Sequence, residues 1–336
     1  MIWRALPRHS RKTFREAQMA KRVVVTDHAF RSVRHEQAVA AAHGASFACF
    51  AATTVEDAKA ATAGADVAFV NFAPMTREVL AGMRSGGTVV RYGIGYDNVD
   101  VPAARELGIH VANVPDYGVE TVADHASASL LALARRLPIY SGRIRTERWV
   151  RPGDIGAIRG MRSSVVGLVG MGRIAQAVHD RLRPFGFSFV AYDPLCDPEV
   201  FVERDVTPVS LLELAQQAHA ISLHAPSNAE TRGMIGEEFF RAVQPGTVLV
   251  NTARGSLVDE AALVRALDEG RIAAVALDVT DPEPVPVESP LRNRDEVLLT
   301  PHAAFYDEDS LDRLQLLAAE EAGRALRGDR LRCPLT

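Results

Sequence analysis

The N-terminal part of the chain alternates short apolar runs, rich in β-branched residues, with stretches whose apolar residues recur at helical spacing. The apolar runs predict strands, and the stretches between them predict helices such as Glu36–Ala42 and Val55–Ala63. Such alternation is typical of a parallel sheet covered by helices on both faces, so we expect a first α/β domain here. Its predicted strands are Val23–Thr26, Phe47–Phe50, Val67–Val70, Thr88–Arg91 and Ile109–Ala112.

The same alternation of predicted strands and helices begins again after a long alanine-rich helix predicted at Val122–Ala134. It predicts a second doubly wound parallel sheet that ends near Thr300. A last helix, roughly Ser310–Leu326, has no strand after it in this sheet and could return to the first domain. The predicted strands are Val165–Val169, Phe189–Tyr192, Ala220–His224, Val248–Asn251, Ala274–Asp278 and Val297–Thr300.

Composition narrows the class of protein. A chain of 336 residues that is 47% hydrophobic can bury two cores. A net charge of -4 does not suggest nucleic-acid binding, and no apolar run approaches the roughly 18 residues of a membrane span. The three cysteines, Cys49, Cys196 and Cys333, are far apart and lack metal-ligand spacing. We therefore expect no metal site and a reducing, cytoplasmic location.

The first 22 residues are rich in arginine and lysine and carry a single acid, Glu16. No apolar segment of the secretory type follows, so two interpretations stay open. The segment could be an organelle transit peptide, or a dispensable extension ahead of a natural start at Met19. We expect residues 1–20 to be a disordered basic extension.

A glycine motif, GxGxxA, follows the strand Val165–Val169 directly and opens a helix. In that context Gly170 permits a tight turn, Gly172 lets the backbone approach a pyrophosphate, and Ala175 allows close helix packing. Asp193 lies 21 residues past Gly172, at the end of the next predicted strand, where its carboxylate can bind a ribose diol and repel a 2'-phosphate. The motif predicts NAD as the cofactor. The alternative is a glycine turn that binds nothing.

Three polar residues follow successive predicted strands: Arg254 in NTARG, Glu283 in DPEP and His302 in TPHAA. Because ligands of open α/β sheets bind beyond the carboxyl ends of the strands, we expect these residues to share one crevice. Arginine suits a carboxylate, histidine exchanges protons near neutral pH, and a carboxylate can fix its tautomer. Beside a hydride donor, the set suits reduction of a 2-keto acid and its reverse. Singly, each has an ordinary structural explanation: a surface arginine, a loop acid and a strand-end histidine.

The segments GLVGMGRIA, SLHAP, LVNTARGSLVDEAAL, ALDVTDPEP and LLTPHAA closely resemble the D-isomer-specific 2-hydroxyacid dehydrogenases, which include phosphoglycerate dehydrogenase. The resemblance spans about Val23 to Pro334. It implies that Arg254 binds the substrate carboxylate and carbonyl, that Glu283 orients His302, and that His302 is the acid and base. It also implies a homodimer formed through the NAD-binding domain.

The resemblance further implies a Rossmann NAD-binding domain inserted into a discontinuous, flavodoxin-like substrate domain. The expected boundaries are 21–115 for the first part of the substrate domain, 116–301 for the NAD-binding domain and 302–336 for the return. The segment RYGIGYDNVD resembles the family's substrate loop, with Arg91, Gly93 and Ile94 as substrate contacts. The implied cofactor contacts are Gly170, Gly172, Arg173, Ile174, Asp193, His224, Ala225, Pro226, Thr231, Thr252, Ala253 and Asp278.

A finer resemblance leaves a second function open. VPDYGVETVADHA and TPHAAFYDED are similar to the branch that contains the C-terminal binding protein corepressors, which bind NAD and peptide motifs of transcription regulators. That branch keeps the same three polar residues, so the sequence also fits an NAD-sensing binding protein with little turnover. Phe305 stands where that branch often has tryptophan. We expect an enzyme acting on a small 2-keto or 2-hydroxy acid, with no direct nucleic-acid or membrane partner and with its substrate side chain undetermined.

Overall fold

The computed structural model describes residues 20–146 and 149–336. The predicted basic extension therefore lies outside the described residues, except for residue 20. The chain divides by its contacts into two compact units. The first contains the described residues up to Tyr92, together with Asn98–Val114 and Gln315–Thr336; the second contains Gly93–Asp97 and Pro115–Leu314.

The first unit contains a five-stranded parallel sheet in the order β2-β1-β3-β4-β5. This is the order of flavodoxin-like folds, as the sequence analysis expected. All four residues of β3 are buried, as a strand covered on both faces should be. The strands are β1 Arg22–Val25, β2 Ser46–Cys49, β3 Val67–Val70, β4 Thr88–Arg91 and β5 His110–Asn113. The helices are α1 Arg34–Ala42, α2 Val55–Thr62, α3 Arg77–Ala81 and α4 Val101–Glu106.

The second unit contains a seven-stranded parallel sheet in the order β12-β11-β10-β9-β6-β7-β8. Counted from β6, this is the Rossmann order with one further strand at its edge, which confirms the predicted fold class. The strands are β6 Val165–Val169, β7 Ser188–Tyr192, β8 Thr207–Pro208, β9 Ala220–Leu223, β10 Thr247–Asn251, β11 Ile272–Leu277 and β12 Val297–Leu299. The two-residue strand β8 was not predicted from the sequence.

Helices cover both faces of this second sheet and enclose two apolar clusters. The helices of this unit are α5 Val119–Ala134, α6 Leu137–Thr146, α7 Arg173–Leu182, α8 Pro198–Arg204, α9 Leu211–Gln217, α10 Glu237–Ala242 and α11 Glu260–Asp268. The last helix, α12 Glu308–Arg327, begins in this unit and continues into the first unit. Short 3-10 turns occupy Pro152–Ile155, Met161–Ser163, Arg183–Phe185 and Gly255–Leu257. In the part of the chain that the structure describes, no helix combines the length and apolar character needed to cross a bilayer.

The division into units differs from the expected domain boundaries at two places. Gly93–Asp97 groups with the second unit, since Asp97 is ion-paired with Arg254. The chain leaves the second unit at Leu314, inside α12, and not at residue 302. Backbone amides just after residue 302 are bound by Asp278 of the second unit, which accounts for the later crossing.

Candidate active site

The ends of six neighbouring strands lie in register across the second sheet. Pairing joins Tyr192 to Val169 and continues through Leu223, Asn251 and Leu277 to Leu299. The residues that follow these positions therefore form one row along the carboxyl edge of the sheet. In spatial order they are Asp193, Gly170, His224, Thr252, Asp278 and Thr300.

The glycine turn has the geometry that the motif predicts. Gly170 has a φ of +94°, and a Cβ atom added there would lie 2.9 Å from the carbonyl carbon of His224. Both features exclude a larger residue. A Cβ atom added to Gly172 would meet nothing within 4 Å among the described residues, so the backbone before α7 is open to a ligand. The amino end of a helix at such an opening attracts phosphate groups.

Asp193 lies beside this turn, at the end of β7. Its two carboxylate oxygens accept hydrogen bonds from the backbone N–H groups of Met171, at 2.8 Å, and Leu195, at 3.0 Å. The carboxylate is therefore held next to the glycine turn, where the sequence analysis expected a ribose contact. Its negative charge disfavours an additional phosphate at the same place.

Two polar atoms in the row lack a hydrogen-bond partner among the described residues: Nε2 of His224 and the hydroxyl oxygen of Thr252. Both atoms are enclosed, although each residue as a whole is partly exposed. Burial lowers the pKa of His224 to about 4, so its ring is neutral at physiological pH. Enclosed polar groups usually find a partner, and a polar ligand at this edge would supply one. The residues present therefore fit NAD.

The other predicted cofactor contacts occupy the loops around this row. Arg173 opens α7 and is ion-paired with Asp116. Thr231 donates from its hydroxyl to the carbonyl oxygen of Pro226, at 2.7 Å, and so fixes the loop that follows β9. Ile174, Ala225 and Ala253 are partly buried and pack against the two apolar clusters.

Asp278 holds the turn that presents His302. Its buried carboxylate accepts hydrogen bonds from the N–H groups of Ala303 and Ala304, at 2.8 and 2.9 Å, and from the hydroxyl of Thr300, at 2.5 Å. His302 itself has a φ of +52°, a left-handed conformation that non-glycine residues rarely adopt. In the sequence, Asp278 resembles a cofactor contact and a structural role also stays open, because the bonds it makes to the next loop have no signature in the sequence.

His302 and Glu283 form the pair that the sequence analysis predicted. Nδ1 of His302 lies 2.9 Å from a carboxylate oxygen of Glu283, and the other oxygen accepts from the N–H of Thr280 at 3.2 Å. Burial acts to raise the pKa of Glu283, but the hydrogen bond and charge of His302, the Thr280 N–H and the charge of Arg254 together bring it below its ordinary value. The carboxylate is therefore ionised at neutral pH, and it lies against Nδ1 of the imidazole ring.

Arg254 is fixed by neighbours that the sequence analysis missed. Its Nε donates to a carboxylate oxygen of Asp97 at 2.8 Å, and its Nη1 donates to the carbonyl of Ala253 at 2.7 Å. The buried side chain of Asn251 accepts from the Ala253 N–H at 3.0 Å and donates to the Arg254 carbonyl at 2.8 Å. Asn251 stands in NTARG and Asp97 in RYGIGYDNVD, so both were within the quoted motifs.

The structure therefore brings Arg254, Glu283 and His302 together in the second unit, at the carboxyl edge of its sheet. Gly93, with a φ of +108°, and Ile94 belong to the same unit as Arg254. Arg91 lies in the first unit, where its Nη1 donates to the carbonyl of Tyr92. Among residues 20–146 and 149–336, no group of three or more His, Cys, Asp or Glu side chains is placed to hold a metal ion.

Comparison with known protein families shows to which family this fold and site belong. The sequence profile of the D-isomer specific 2-hydroxyacid dehydrogenase, NAD binding domain, matches residues 127–304. The chain belongs to this family. The matched segment contains Arg254, Glu283 and His302, and it includes the glycine turn, so these residues lie in the NAD-binding domain of a D-isomer specific 2-hydroxyacid dehydrogenase family member.

Individual relatives agree with this assignment. A D-3-phosphoglycerate dehydrogenase from Mycobacterium bovis is 39% identical over 252 residues, which cover 75% of this chain and 47% of that protein. A glyoxylate reductase from Korarchaeum cryptofilum is 38% identical over 258 residues, covering 76% and 78% of the two chains. The structure of a D-lactate dehydrogenase from Aquifex aeolicus with NAD and lactic acid superposes with a TM-score of 0.81 at 27% identity, covering 92% and 96%. The chain thus spans about half the length of the mycobacterial dehydrogenase.

Proposed function

We propose that this protein is an NAD-dependent oxidoreductase that interconverts a small 2-keto acid and the corresponding D-2-hydroxy acid. The observation that carries the proposal is the His302–Glu283 pair, set beside the charge of Arg254 at the carboxyl edge of the NAD-binding sheet. Reduction of a 2-keto acid requires a proton donor, an ionised partner for that donor and a fixed cation.

When bound, NADH supplies the hydride. Arg254 attracts the substrate's carboxylate and polarises its keto oxygen, because a guanidinium group offers several N–H donors in one plane. His302 gives a proton to the oxygen as negative charge develops on it, and Glu283 stabilises the imidazolium that precedes this step. The backbone N–H groups of Gly93 and Ile94 are proposed to bind the carboxylate, and the resemblance extends this role to Arg91, whose charge a carboxylate attracts.

We assign the row at the carboxyl edge of the sheet to the cofactor. The backbone from Gly170 to Arg173 receives the pyrophosphate, and Asp193 accepts hydrogen bonds from the ribose hydroxyls. His224 and Thr252 belong to the same row, and each has an enclosed polar atom without a hydrogen-bond partner among the described residues. The charge of Asp193 favours NAD over NADP.

The test is oxidation of NADH, followed by its ultraviolet absorbance, with a panel of 2-keto acids. The panel contains glyoxylate, pyruvate, hydroxypyruvate, phenylpyruvate, 3-phosphohydroxypyruvate and 4-methylthio-2-oxobutyrate. Turnover that saturates with at least one of them supports the proposal. Tight NADH binding without turnover on any of them would contradict it and would favour an NAD-responsive binding protein of the corepressor type.

We also propose that the protein forms a homodimer through its NAD-binding unit. Two large apolar side chains of α6 and one between α6 and the following turn are exposed: Leu137 by 57%, Ile144 by 42% and Trp149 by 84%. Apolar side chains left in water in this number favour association with another surface. Light scattering coupled to size-exclusion chromatography should give twice the chain mass, and Trp149→Ser should shift the equilibrium towards the monomer.

We infer a cytoplasmic location from the cysteines. Cys49, Cys196 and Cys333 are all free thiols in the structure, which suits a reducing compartment. Fractionation of cells that express the tagged chain tests this inference, and recovery in an oxidising compartment would contradict it.

A further inference from the structure

Within the second unit, the side chain of Arg254 packs closely against the loop Gly93–Asp97. The Nε and Nη1 atoms of the Arg254 guanidinium are engaged by Asp97 and by the Ala253 carbonyl. The remaining nitrogen, Nη2, lies beside Gly95, at the place that a Cβ atom of a larger residue would take. The guanidinium plane is thus fixed by the Asp97 carboxylate, the Ala253 carbonyl and the surface of the loop at Gly95.

Gly95 provides the space that this arrangement needs. A Cβ atom added there would lie 1.3 Å from Nη2 and 2.5 Å from Cζ of Arg254. Gly95 has no left-handed φ, so its backbone does not require glycine. The clashing atoms are the far end of a flexible side chain, and the guanidinium, not the backbone, would have to move. Glycine at this position therefore serves the placement of Arg254.

The Asp97–Arg254 ion pair has little value as a source of stability. The Asp97 side chain is 50% exposed and that of Arg254 is 28% exposed. Exposed ion pairs contribute little to folding, because water screens the charges and holding two side chains still costs entropy. A bond of 2.8 Å to Nε does fix the direction in which a guanidinium points, since the group is planar and rigid.

We propose that Asp97 and Gly95 are positioning residues for Arg254. Asp97 sets the orientation of the guanidinium through Nε, and Gly95 lets Nη2 lie against the loop whose backbone is proposed to bind the substrate carboxylate. This proposal rests on the function proposed above. It predicts that both residues act on the substrate through Arg254 and do not act on the cofactor.

Steady-state kinetics with the best 2-keto acid tests this. Asp97→Asn should lower kcat/KM about tenfold, and Gly95→Ala should lower it on the order of 10²-fold, because small misplacements of a substrate-binding group have effects of this size. The affinity for NADH, measured by fluorescence, should not change in either variant. Asp97→Glu should recover part of what Asp97→Ala loses.

Two controls match these variants in chemistry but lie away from the site. Asp268 is 59% exposed and ion-paired with Arg294 at 2.6 Å, so Asp268→Ala removes a similar surface pair. Gly153 has an ordinary φ and open space for a Cβ atom, so Gly153→Ala adds a methyl group without a clash. Both controls should keep wild-type kcat and KM.

Combined substitutions test whether Asp97 and Gly95 act on the substrate through Arg254. In an Arg254→Ala background, Asp97→Asn and Gly95→Ala should have almost no further effect on the residual rate, because the group they position is gone. Additive losses would show that the two residues act elsewhere and would overturn the proposal. Wild-type kinetics in the two single variants would overturn it as well.

An NMR measurement separates this proposal from the proposed function. The Nε–H signal of Arg254, assigned by its loss in Arg254→Lys, should be protected from solvent exchange in the wild-type protein. It should lose protection in Asp97→Asn and move in Gly95→Ala. Absence of turnover on any keto acid would contradict the proposed function, whereas an unchanged Nε–H signal in both variants would contradict the positioning of Arg254.

Discussion

Nδ1 of His302 lies 2.9 Å from a carboxylate oxygen of Glu283, and His302 holds this position in a left-handed backbone conformation. Backbone strain of this kind persists only where neighbouring groups enforce it. Here the Asp278 carboxylate binds the two N–H groups that follow His302, and the Asp278 carbonyl accepts the N–H of His302 itself at 2.8 Å. The fold therefore fixes both the place of the imidazole ring and the nitrogen that faces the acid.

Removal of the imidazole should abolish proton transfer and leave the cofactor site intact. We predict that His302→Ala lowers kcat for 2-keto acid reduction on the order of 10²-fold or more. The dissociation constant for NADH should stay within about twofold, since no assigned cofactor contact is lost. Stopped-flow kinetics and fluorescence titration measure the two quantities. His110→Ala, which removes an exposed histidine, is the control. Equal kcat in His302→Ala and wild type would show that another group moves the proton.

Replacement of Glu283 should lower the rate of reduction. The pKa of Glu283 is below its ordinary value, so the carboxylate is negative throughout the neutral range and faces Nδ1 of His302 with a full charge. Glu283→Gln keeps the shape of the side chain and removes that charge, and kcat, measured by stopped-flow kinetics, should fall on the order of tenfold or more. Wild-type kcat in Glu283→Gln would count against the pairing.

The charge of Asp193 should determine the choice between the two nicotinamide cofactors. Asp193→Asn removes the negative charge and keeps one of the two oxygens that accept from the Met171 and Leu195 N–H groups. We predict that the ratio of kcat/KM for NADH to that for NADPH falls about tenfold, because the repulsion of a 2'-phosphate is gone. Asp197→Ser, which can still cap the helix Pro198–Arg204, should leave the ratio unchanged. A ratio that stays constant in Asp193→Asn would place the ribose elsewhere.

His224 should make the protein less stable in mild acid. Its folded-state pKa is about 4, below the ordinary value of 6.5, so the unfolded chain binds more protons between these two values. The free energy of unfolding should therefore fall as pH decreases from about 6.5 to 4, by up to about 3 kcal/mol from this residue. Burial also lowers the pKa of His219, so this residue should likewise reduce the free energy of unfolding as the pH decreases.

Urea unfolding across this pH range measures the effect. The slope of unfolding free energy against pH should be smaller in His224→Gln than in the wild-type protein. His110→Gln, at an exposed histidine, should keep the wild-type slope. A wild-type slope in His224→Gln would mean that its ring is already protonated, or solvated, in the folded state.

The fold and the three central residues were predictable because their signals are local. Each strand carries its own apolar run, and Arg254, Glu283 and His302 each follow such a run within a few residues. Parallel pairing then brings the ends of the strands to one edge without further information. The two-residue strand β8, Thr207–Pro208, was missed because so short a segment has no periodicity to detect.

The partners of these residues could not be predicted because they depend on long-range contacts. Asp97 and Arg254 are 157 positions apart, and no spacing rule joins a loop acid to an arginine in another loop. In the sequence, Asp278 is one more polar residue after a strand, yet in the structure its carboxylate binds the backbone of the His302 turn. Such bonds depend on how neighbouring loops lie against one another, and those positions are determined only when the sheet has formed.

The most direct test of the account is the configuration of the product. The wild-type protein should be incubated with NADH and its best 2-keto acid, and the 2-hydroxy acid formed should be separated on a chiral column. We predict the D-2-hydroxy acid alone, formed in equal amount to the NADH consumed and on the order of 10²-fold more slowly with His302→Ala. The L-acid, a racemic mixture, or NADH consumption without hydroxy acid would contradict the account.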